Sequence, residues 1–495
     1  MKVLMIYPEF PDTFWSFKHA LPFQGKRSAY PPLGLLTVAA MLPGSWEKRA
    51  VDLNVRPVKD SELDWADVVF LSGMMVQGPS MKKVIARAKE RGLRTVVGGP
   101  IASAKDPNIA EADHVVEGEA EELLSILAKD LESGTTRAHY KAPVLPDLTQ
   151  VPLPDLDLVD LRKYSAMAVQ YSRGCPFTCE FCDIIEIYGR RPRTKTPEQV
   201  CAELTQIHER GWRGRVFLVD DNFIGNKKNV KKLLPELVRW NRDRNYPFSF
   251  LTEASLNLAE DDELLRLMHE ANFNSVFMGI ETPVAESLKE TTKFQNLRKD
   301  LLESVKLVQS YGMEVMPGFI VGFDHDPPDV FERQIQFIRD AAIPISMVGL
   351  LSALPNTQLW RRLKAEGRLL RESLGNNTLL DMNFIPRMDT QELLDGYRRI
   401  LETIYYPGEY FNRVQAFLSQ LGTAARTPLR FSDILAVARS VWRQGLRSHY
   451  RKEYWKFLAQ TLRQHRQHLD KALALAIMGH HFFELTGTVE SHTRV

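Results

Sequence analysis

The sequence has no long hydrophobic run and almost no net charge. The longest late apolar run, ALALAIMG (472–479), falls far short of the roughly 18 uninterrupted apolar residues that a membrane-spanning helix needs. The first residues, MKVLMIYPEF, are typical of a buried strand and lack the regions of a signal peptide. Lysine and arginine together number 64, and aspartate and glutamate 62, so the overall charge indicates no particular partner. We therefore expect a cytoplasmic protein.

Cysteine is also scarce, with only four residues in 495. A cytosolic chain of this length is kept reduced and does not need crosslinks, so we expect no disulfide framework. Three of the four cysteines lie within eight positions, in YSRGCPFTCEFCDI (171–184), and this crowding favours a metal site. Cys201 stands apart in PEQVCAELTQIHER, whose period is helical, and we interpret it as a packed helix residue.

The first third of the chain alternates short apolar runs with helical stretches. The runs include KVLMIYP (2–8), KRAVDLN (48–54), DVVFLSGMM (67–75), RTVVGGP (94–100) and HVVEGE (114–119). This alternation predicts βαβ units in a doubly wound parallel sheet, whose ligand would lie beyond the carboxyl ends of the strands. Four glycines fall at those ends: Gly73, Gly98, Gly99 and Gly118. They either let the backbone approach a large ligand or only make tight turns.

A dinucleotide is not the expected ligand of this sheet. The segment after the first strand reads YPEFPD, which lacks the GxGxxG pattern and offers no phosphate-binding helix N-terminus.

The rest of the chain divides into a linker, a barrel and a helical part. Residues 131–165 are rich in proline and aspartate and lack a helical period, which is typical of a linker. Six strand-like runs alternating with helical stretches follow, and they predict a partial (β/α)6 barrel with functional groups at the C-terminal ends of its strands. Beyond residue 385 the pattern is helical. The predicted parts are therefore 1–130, 131–165, 166–385 and 386–495.

The spacing of the crowded cysteines, CxxxCxxC, indicates an iron–sulfur cluster. A cubane of four irons normally takes four thiolates, so three cysteines leave one iron free. A structural zinc site is the alternative, but it needs a fourth Cys or His nearby. The motif, with Phe181 beside the last cysteine, is similar to that of radical S-adenosylmethionine (SAM) enzymes. This resemblance implies that Cys175, Cys179 and Cys182 hold a 4Fe–4S cluster whose fourth iron chelates SAM for reductive cleavage to a 5′-deoxyadenosyl radical.

The same resemblance implies a set of SAM-binding residues in the barrel. Asp220, Asp221 and Asn222 replace the usual GGE motif and would help to bind the amino group, while Glu253, Ser255 and Glu281 would reach the ribose or methionine part. Ile320, Val321 and Gly322 match the stretch that flanks adenine. Any of the polar residues could instead be a buried polar group with internal partners or a helix cap. The family's usual arginine after the third strand is missing from FLTEASLNL, which leaves the SAM carboxylate without an assigned partner.

The first third, including PPLGLLTVAAML (31–42), resembles the cobalamin-binding domain that precedes the barrel in many radical SAM enzymes. The resemblance implies cobalamin contacts at Ser72, Gly73, Gly98, Gly99, Gly118 and Glu119. The chain lacks the DxHxxG motif, so cobalt would have no axial histidine from it. His19 is a remaining candidate ligand, or else a polar loop residue.

Together these features place the chain with the cobalamin-binding radical SAM methyltransferases (class B). RGCPFTCEFCDIIEIYGRRPRTKT (173–196), LVDDNFIGNKK (218–228), GFIVGFD (318–324) and MVGLLSALPNTQL (347–359) look most like hopanoid C-2 methylases. This implies radical methylation, by way of methylcobalamin, of an unactivated carbon in a hopanoid or other isoprenoid lipid. The loop 8–30 departs from that likeness and leaves the substrate open. A tetrapyrrole or other natural product, a non-methylating oxidation or rearrangement, and a cluster-bearing sensor remain alternatives.

Basic residues dominate the helical last part. They comprise Arg439, Arg443, Arg447, Arg451, Lys452, Lys456, Arg463 and Arg466, interleaved with Trp442, Trp455 and Phe457. This pattern is typical either of an interfacial helix on anionic lipid at the inner membrane surface or of a solvated face with aromatics packed on the barrel. Nucleic-acid binding is not expected. A low-potential electron donor is the other partner that the chemistry implies.

Overall fold

The computed structural model describes residues 1–142, 144–376, 380, 382–423 and 431–491. Residues 424–430 and 492–495 of the predicted helical part lie outside these ranges. The described chain forms two parallel sheets of six strands, each covered by helices, and a helical layer that follows them.

The first sheet occupies the N-terminal part. Its strands are β1 (Lys2–Tyr7), β2 (Glu47–Asp52), β3 (Val68–Ser72), β4 (Arg94–Gly98), β5 (His114–Glu117) and β6 (His139–Lys141), in the spatial order β2-β1-β3-β4-β5-β6. All neighbouring pairs are parallel. The accompanying helices are α1 (Leu21–Gln24), α2 (Leu33–Met41), α3 (Asp60–Trp65), α4 (Gly78–Lys89), α5 (Pro100–Ala104) and α6 (Leu124–Ser133).

Successive residues of β1 enter two separate cores, which is the reason that this sheet carries helices on both faces. Val3 and Met5 pack with α2 and α6, whereas Leu4 and Ile6 pack with α3 and α4. The predicted doubly wound sheet is confirmed. The sheet also includes β6, in a segment whose sequence is typical of a linker. A strand of three residues with two exposed polar positions, HYK, has too little alternation to be recognised from sequence.

The second sheet forms the partial barrel. Its elements in chain order are β7 (Met167–Val169), the ribbon strands β8 (Ser172–Arg173) and β9 (Arg193–Thr194), β10 (Gly214–Leu218), β11 (Phe248–Glu253), β12 (Phe273–Glu281), β13 (Glu314–Val321) and β14 (Met347–Leu350). The six sheet strands run in the order β14-β13-β12-β11-β10-β7, all parallel, while β8 and β9 form a separate antiparallel pair. The six-stranded partial barrel predicted from the sequence is therefore confirmed.

Helices α7 to α14 surround this barrel. They are α7 (Ile184–Tyr188), α8 (Pro197–Glu209), α9 (Lys227–Asp243), α10 (Asp262–Glu270), α11 (Ala285–Glu290), α12 (Leu301–Ser310), α13 (Val330–Asp340) and α14 (Gln358–Ala365). A capping box opens α8: the Thr196 hydroxyl accepts from the Gln199 amide, and the Gln199 side chain accepts from the Thr196 amide. Cys201 lies in α8 and packs against the barrel core, as its helical context predicts.

The C-terminal layer is helical, as predicted. It consists of α15 (Thr390–Ile404), α16 (Pro407–Gln420), α17 (Phe431–Ser440), a π-helical turn (Val441–Arg447), α18 (Arg451–Gln464) and α19 (Leu469–Ser491). Among the described residues, no helix combines the length and the apolar character that crossing a bilayer requires.

Candidate active site

The three crowded cysteines lie on the loop between β8 and α7, at the C-terminal edge of the barrel. All three are free thiols. Two receive amide donors from distant segments: Asn222 Nδ2 lies 3.8 Å from Cys175 Sγ, and Gln295 Nε2 lies 3.7 Å from Cys179 Sγ. A hydrogen bond to the charged form of a group favours that form, so these amides suit thiolates better than thiols.

The cysteine loop fits a cluster better than a single ion. In the described part of the chain, no three His, Cys, Asp or Glu side chains lie close enough together to hold one metal ion. A 4Fe–4S cluster binds each thiolate on a different iron, so its ligands do not need that closeness.

Asp220 and Asp221 support the strand that leads into the cysteine loop. Asp220 accepts hydrogen bonds from the Tyr171 amide (2.8 Å) and from the amide and hydroxyl of Ser172 (3.0 and 2.8 Å). Asp221 accepts from the Gly174 amide at 2.8 Å. Burial raises the pKa of Asp220 to about 7 and that of Asp221 to about 6. The partners of Asp220 are therefore internal, and its role in binding SAM stays a prediction.

Two other predicted residues, Asn222 and Ser255, form one hydrogen-bonded unit. Asn222 Nδ2 donates to Ser255 Oγ at 3.1 Å, and the Ser255 amide donates back to Asn222 Oδ1 at 3.2 Å. Glu253 lies at the end of β11 close to this unit. Burial, followed by the charges of Asp221 and Asp220, raises its pKa to about 8. Among the described residues its carboxyl group has no hydrogen-bond partner, so it is open to donors of a ligand.

The structure supplies a cation that sequence reasoning missed. Lys293, in the loop after α11, is buried, and its Nζ lies 2.5 Å from Glu281 Oε1 and 5.8 Å from the centre of the Phe181 ring. Although burial opposes it, the Glu281 carboxylate raises the pKa of Lys293 above its ordinary value. Gly279 makes room for the pair, because a Cβ there would lie 2.7 Å from Lys293 Nζ and would overlap Glu281 Oε1.

Residues 291–296, which include Lys293, are tied directly to the cysteine loop. The Glu180 amide donates to the Thr291 carbonyl at 3.1 Å, and the Thr292 hydroxyl donates to the Thr178 carbonyl. Because these bonds span more than 100 residues of sequence, no local pattern could have revealed them.

The stretch predicted to flank adenine ends β13. Ile320 is half-buried, Val321 is buried, and Gly322 has φ +108°. The Gly322 amide donates to Asp326 Oδ2 at 2.9 Å, so this turn is fixed before any ligand binds.

The predicted cobalamin residues lie together at the carboxyl edge of the first sheet. Gly99 is required by internal packing, because its φ is +86° and a Cβ would lie 2.7 Å from Ser72 Oγ. A Cβ on Gly73 would lie 3.0 Å from Gln77 and Met81 side-chain atoms. Gly118 is different: its φ is +85°, and a Cβ would meet nothing within 4 Å. The space beside Gly118 is therefore open, whereas neighbouring side chains or backbone fill the space beside Gly73 and Gly99. Cobalamin contacts at these residues stay a prediction.

Glu119, the last predicted cobalamin residue, contacts the β8–β9 ribbon, whose two strands lie on either side of the cysteine loop in the sequence. Its side chain is only 2% exposed, and its carboxylate lies 2.5 Å from both Arg173 and Arg193 of the β8–β9 ribbon. Arg173 also pairs with Glu121 at 2.7 Å. The carboxyl edge of the first sheet is thereby joined to a residue two positions before Cys175. A contact of Glu119 with cobalamin stays a prediction.

Comparison with known proteins agrees with both the first sheet and the barrel that carries the cysteine loop. Residues 27–128 match the B12 binding domain, residues 169–338 match the radical SAM superfamily, and residues 357–494 match a domain of unknown function. The hopanoid C-2 methylase of Rhodopseudomonas palustris is 36% identical over 97% of this chain and 92% of its own length. The chain belongs to the cobalamin-binding radical SAM methyltransferases.

A second relative of this methyltransferase, an uncharacterized methyltransferase of Synechocystis sp., is 45% identical over 98% of this chain and 92% of its own. The solved structure of the radical SAM methyltransferase TsrM from Kitasatospora setae, with cobalamin and a 4Fe–4S cluster bound, shares the fold. Its TM-score is 0.63 at 15% identity, over 93% of this chain and 99% of that chain. As a member of the family, the methyltransferase uses SAM, a 4Fe–4S cluster and cobalamin.

Proposed function

We propose that this methyltransferase adds a methyl group from SAM, by way of cobalamin, to an unactivated carbon of a polycyclic isoprenoid lipid such as a hopanoid. When bound, the cluster and SAM supply a hydrogen-abstracting radical, and cobalamin supplies the methyl group. The observation that carries the proposal is the bridge from Glu119 to Arg173 and Arg193, which joins the two cofactor edges. Reaction at one carbon requires both to be held at a fixed short separation. The hopanoid C-2 methylase relative supports a lipid as the substrate.

In the proposed site, Cys175, Cys179 and Cys182 each bind one iron. The amides of Asn222 and Gln295 would stabilise two of the thiolates. The fourth iron would be left to the amino and carboxylate groups of SAM.

Lys293 takes the place of the missing arginine in this proposal. Its charge, buried beside the cysteine loop, would attract the SAM carboxylate, which is strongly favourable where water is excluded. Glu253, whose carboxyl group has no partner among the described residues, would accept a hydrogen bond from the ribose or the amino group. Ile320 would lie against adenine.

The decisive experiment uses the full-length enzyme, reconstituted anaerobically and supplied with a chemical reductant, methyl-deuterated SAM and a hopene in detergent. The expected product is the hopene carrying the labelled methyl group, with 5′-deoxyadenosine and S-adenosylhomocysteine formed in equal amounts. The Cys182→Ser variant is the matched control and should form neither the labelled hopene nor 5′-deoxyadenosine. An unlabelled product of changed oxidation level would contradict methyl transfer. Label that enters a tetrapyrrole offered in parallel, and no lipid, would contradict the substrate class.

We also propose that the enzyme meets its lipid at a membrane surface. Trp442 and Leu446 on the π-helical turn are 53% and 55% exposed, and Trp455 and Leu462 on α18 are 44% and 51% exposed. The Trp455 indole donates to the Gly445 carbonyl at 2.9 Å, which joins the two groups into one patch.

Basic side chains surround this patch. Among the described residues, none of the following forms an ion pair: Arg443, Arg447, Lys452, Lys456 and Arg463. Exposed tryptophan and leucine with uncompensated basic charge favour an anionic bilayer surface over a simple solvated face. A low-potential electron donor completes the proposed set of partners.

A further inference from the structure

The inner face of the partial barrel is only half filled. In β10 the residues Val216 and Leu218 are buried, whereas Arg215 and Phe217, which alternate with them, are half-buried. Phe277 in β12, Ile320 in β13 and Met347 in β14 are half-buried in the same way. A closed (β/α)8 barrel fills its interior with packed side chains. The accessible positions here therefore indicate an open space inside the barrel, bordered by Arg215 and by the apolar side chains of Phe217, Phe277, Ile320 and Met347.

A segment from the first domain enters this space. Residues 13–25, which we call the strap, leave the first sheet and cross to the barrel. The Trp15 ring lies 5.2 Å from that of Phe277 at 73°, and its Nε1 donates to Met347 Sδ at 3.1 Å. Trp15 nevertheless remains 38% exposed. Large aromatic side chains in a finished core are buried, so Trp15 has a face left for something else.

Gly318 on β13 shapes the same side of this space, because β13 lies between β12 with Phe277 and β14 with Met347. A Cβ at this position would lie 2.9 Å from Phe277 Cζ. Glycine thus lets the Phe277 ring lie against the strand, which keeps the centre of the barrel clear. Ile320, two residues further along β13, links this space to the stretch predicted to flank adenine.

The strap is held in place from outside by the C-terminal helices. Phe14 stacks on Phe482 of α19 at 4.6 Å, and the His481 Nε2–H donates to the Phe14 carbonyl at 3.2 Å. Arg439 of α17 donates to the Phe23 carbonyl at 2.9 Å. Trp15 is therefore positioned by a fixed backbone and does not depend on a ligand to order it.

We infer that Trp15, Phe277 and Met347 form a wall that binds the fused rings of a rigid polycyclic hydrocarbon. This inference rests on the proposed function and assigns the residues that select the substrate. Two aromatic faces at a steep angle and a polarisable thioether provide dispersion contacts to a bulky ring system without a hydrogen-bond requirement. A charged or hydroxyl-rich substrate would find no polar partner on this wall. Because the wall includes a residue of the loop 8–30, changes in that loop would change the substrate.

The test measures equilibrium binding of a hopene, dispersed in detergent, to the reconstituted full-length enzyme, together with KM and kcat for its methylation. Trp15→Ala and Phe277→Ala should each weaken binding and raise KM roughly ten-fold or more, since each removes most of an aromatic contact surface. The kcat should change less than about three-fold, because the side chains of Trp15 and Phe277 are proposed to bind the lipid and not the cluster or SAM. Trp15→Phe should restore most of the affinity. Trp65→Ala, at the far edge of the first sheet, is the matched control and should change nothing.

The outcomes separate this inference from the proposed function. If both alanine variants bound hopene as tightly as the wild type, the inferred wall would be wrong. It would also be wrong if the wild-type enzyme did not bind hopene. Hopene that binds in a Trp15-dependent way but is not methylated would uphold the wall and contradict the proposed reaction. Release of 5′-deoxyadenosine by the variants in the absence of lipid shows that their cofactor site is intact.

Discussion

Glu119, two residues after strand β5 of the first sheet, and Arg173, before the cysteine loop, form an ion pair of 2.5 Å that is almost completely buried. The pair joins parts of the chain that the sequence assigns to different domains. Isolated charges are costly to bury, so each side chain depends on the other domain being docked. Separating the carboxyl edge of the first sheet from the β8–β9 ribbon would therefore expose these charges to water or leave one of them buried without its partner.

Replacing Glu119 should weaken the contact between the first sheet and the β8–β9 ribbon. Glu119→Gln leaves Arg193 without a charged partner and Arg173 with only Glu121. Breaking a buried pair in this way typically costs about 3 kcal/mol, so we expect a fall of that order in the free energy of unfolding, and weaker cobalamin binding. Urea denaturation and cobalamin titration measure the two effects. Glu122→Gln, an exposed neighbour, should change neither. A Glu119→Gln variant as stable as wild type would show that the bridge does not hold the domains.

Serine variants of the four cysteines should differ sharply in the amount of iron that the protein binds. Serine at position 175, 179 or 182 removes one ligand of a cluster that has only three, so bound iron and the visible absorption of the cluster should be almost completely lost. Cys201→Ser, packed in α8, should retain both. Iron analysis after anaerobic reconstitution makes the comparison. Retention of a full cluster by the Cys182→Ser variant would contradict the ligand assignment.

Lys293 should control SAM affinity. Lys293→Met removes the buried charge beside the cysteine loop and leaves Glu281 unpaired. We expect the Kd for SAM to rise at least ten-fold while the iron content is unchanged, since a buried charge-assisted contact contributes about 1.5–3 kcal/mol. Calorimetry, and the change in the electron paramagnetic resonance spectrum on adding SAM, provide two readouts. Lys289→Met, an exposed lysine on α11, is the control. Equal SAM affinity in both variants would contradict the assignment.

The anchor of the strap should be sensitive to acid. Burial, and then the charge of His19, lowers the pKa of His481 to about 4. Its Nε2–H donates to Phe14, and its Nδ1 lies 3.5 Å from the His19 amide, a geometry that requires the neutral ring. The stabilisation is therefore complete above pH 6.5 and is lost as the pH falls towards 4.

This loss should amount to about 1.4 kcal/mol for each pH unit below 6.5. Urea denaturation at pH 7.5 and pH 5 measures it. His481→Gln should reduce the dependence without abolishing it, because burial also lowers the pKa of the neighbouring His480 to about 4. His139→Gln, on an exposed edge strand, should leave it unchanged. An equal acid loss in the His481→Gln variant would exclude this histidine as the cause.

The exposed aromatic patch should bind anionic lipid. Trp442→Ser combined with Trp455→Ser should greatly reduce sedimentation with vesicles that contain phosphatidylglycerol, because interfacial binding scales with buried apolar area. Raising the salt concentration should weaken binding of the wild type, since the basic residues contribute through screened charge. Trp360→Ser on α14 is the control. Equal sedimentation of the double variant and the wild type would contradict the proposed membrane contact.

Local patterns in the sequence were enough to predict both parallel sheets, the six barrel strands and the helical last part. Each depends on hydrophobic periodicity or turn residues within a few positions. The same locality explains what was missed. Lys293 follows two threonines in a segment typical of a solvated loop, and it is buried only because residues 291–296 pack on the cysteine loop.

Glu119 also shows what local sequence patterns cannot predict. Its place after β5 predicts a contact with a ligand at the carboxyl edge of the sheet, but Arg173 and Arg193 arrive there from positions 54 and 74 residues later. No spacing in the sequence indicates which distant charge reaches a given edge. Likewise, nothing local indicates that Trp15 enters the barrel, because its partners Phe277 and Met347 lie on strands far along the chain.

The strap also has a consequence for synthesis of the protein. The hydrogen bond between His481 and Phe14 joins positions 467 residues apart. At translation rates of about 5–20 residues per second, Phe14 and Phe23 are made roughly 25 to 90 seconds before α19, which covers them in the folded protein. During that time the strap is an uncovered aromatic segment on a nascent chain. Folding of this methyltransferase should therefore depend on chaperones that shield early hydrophobic segments, and depletion of such chaperones should reduce its soluble yield.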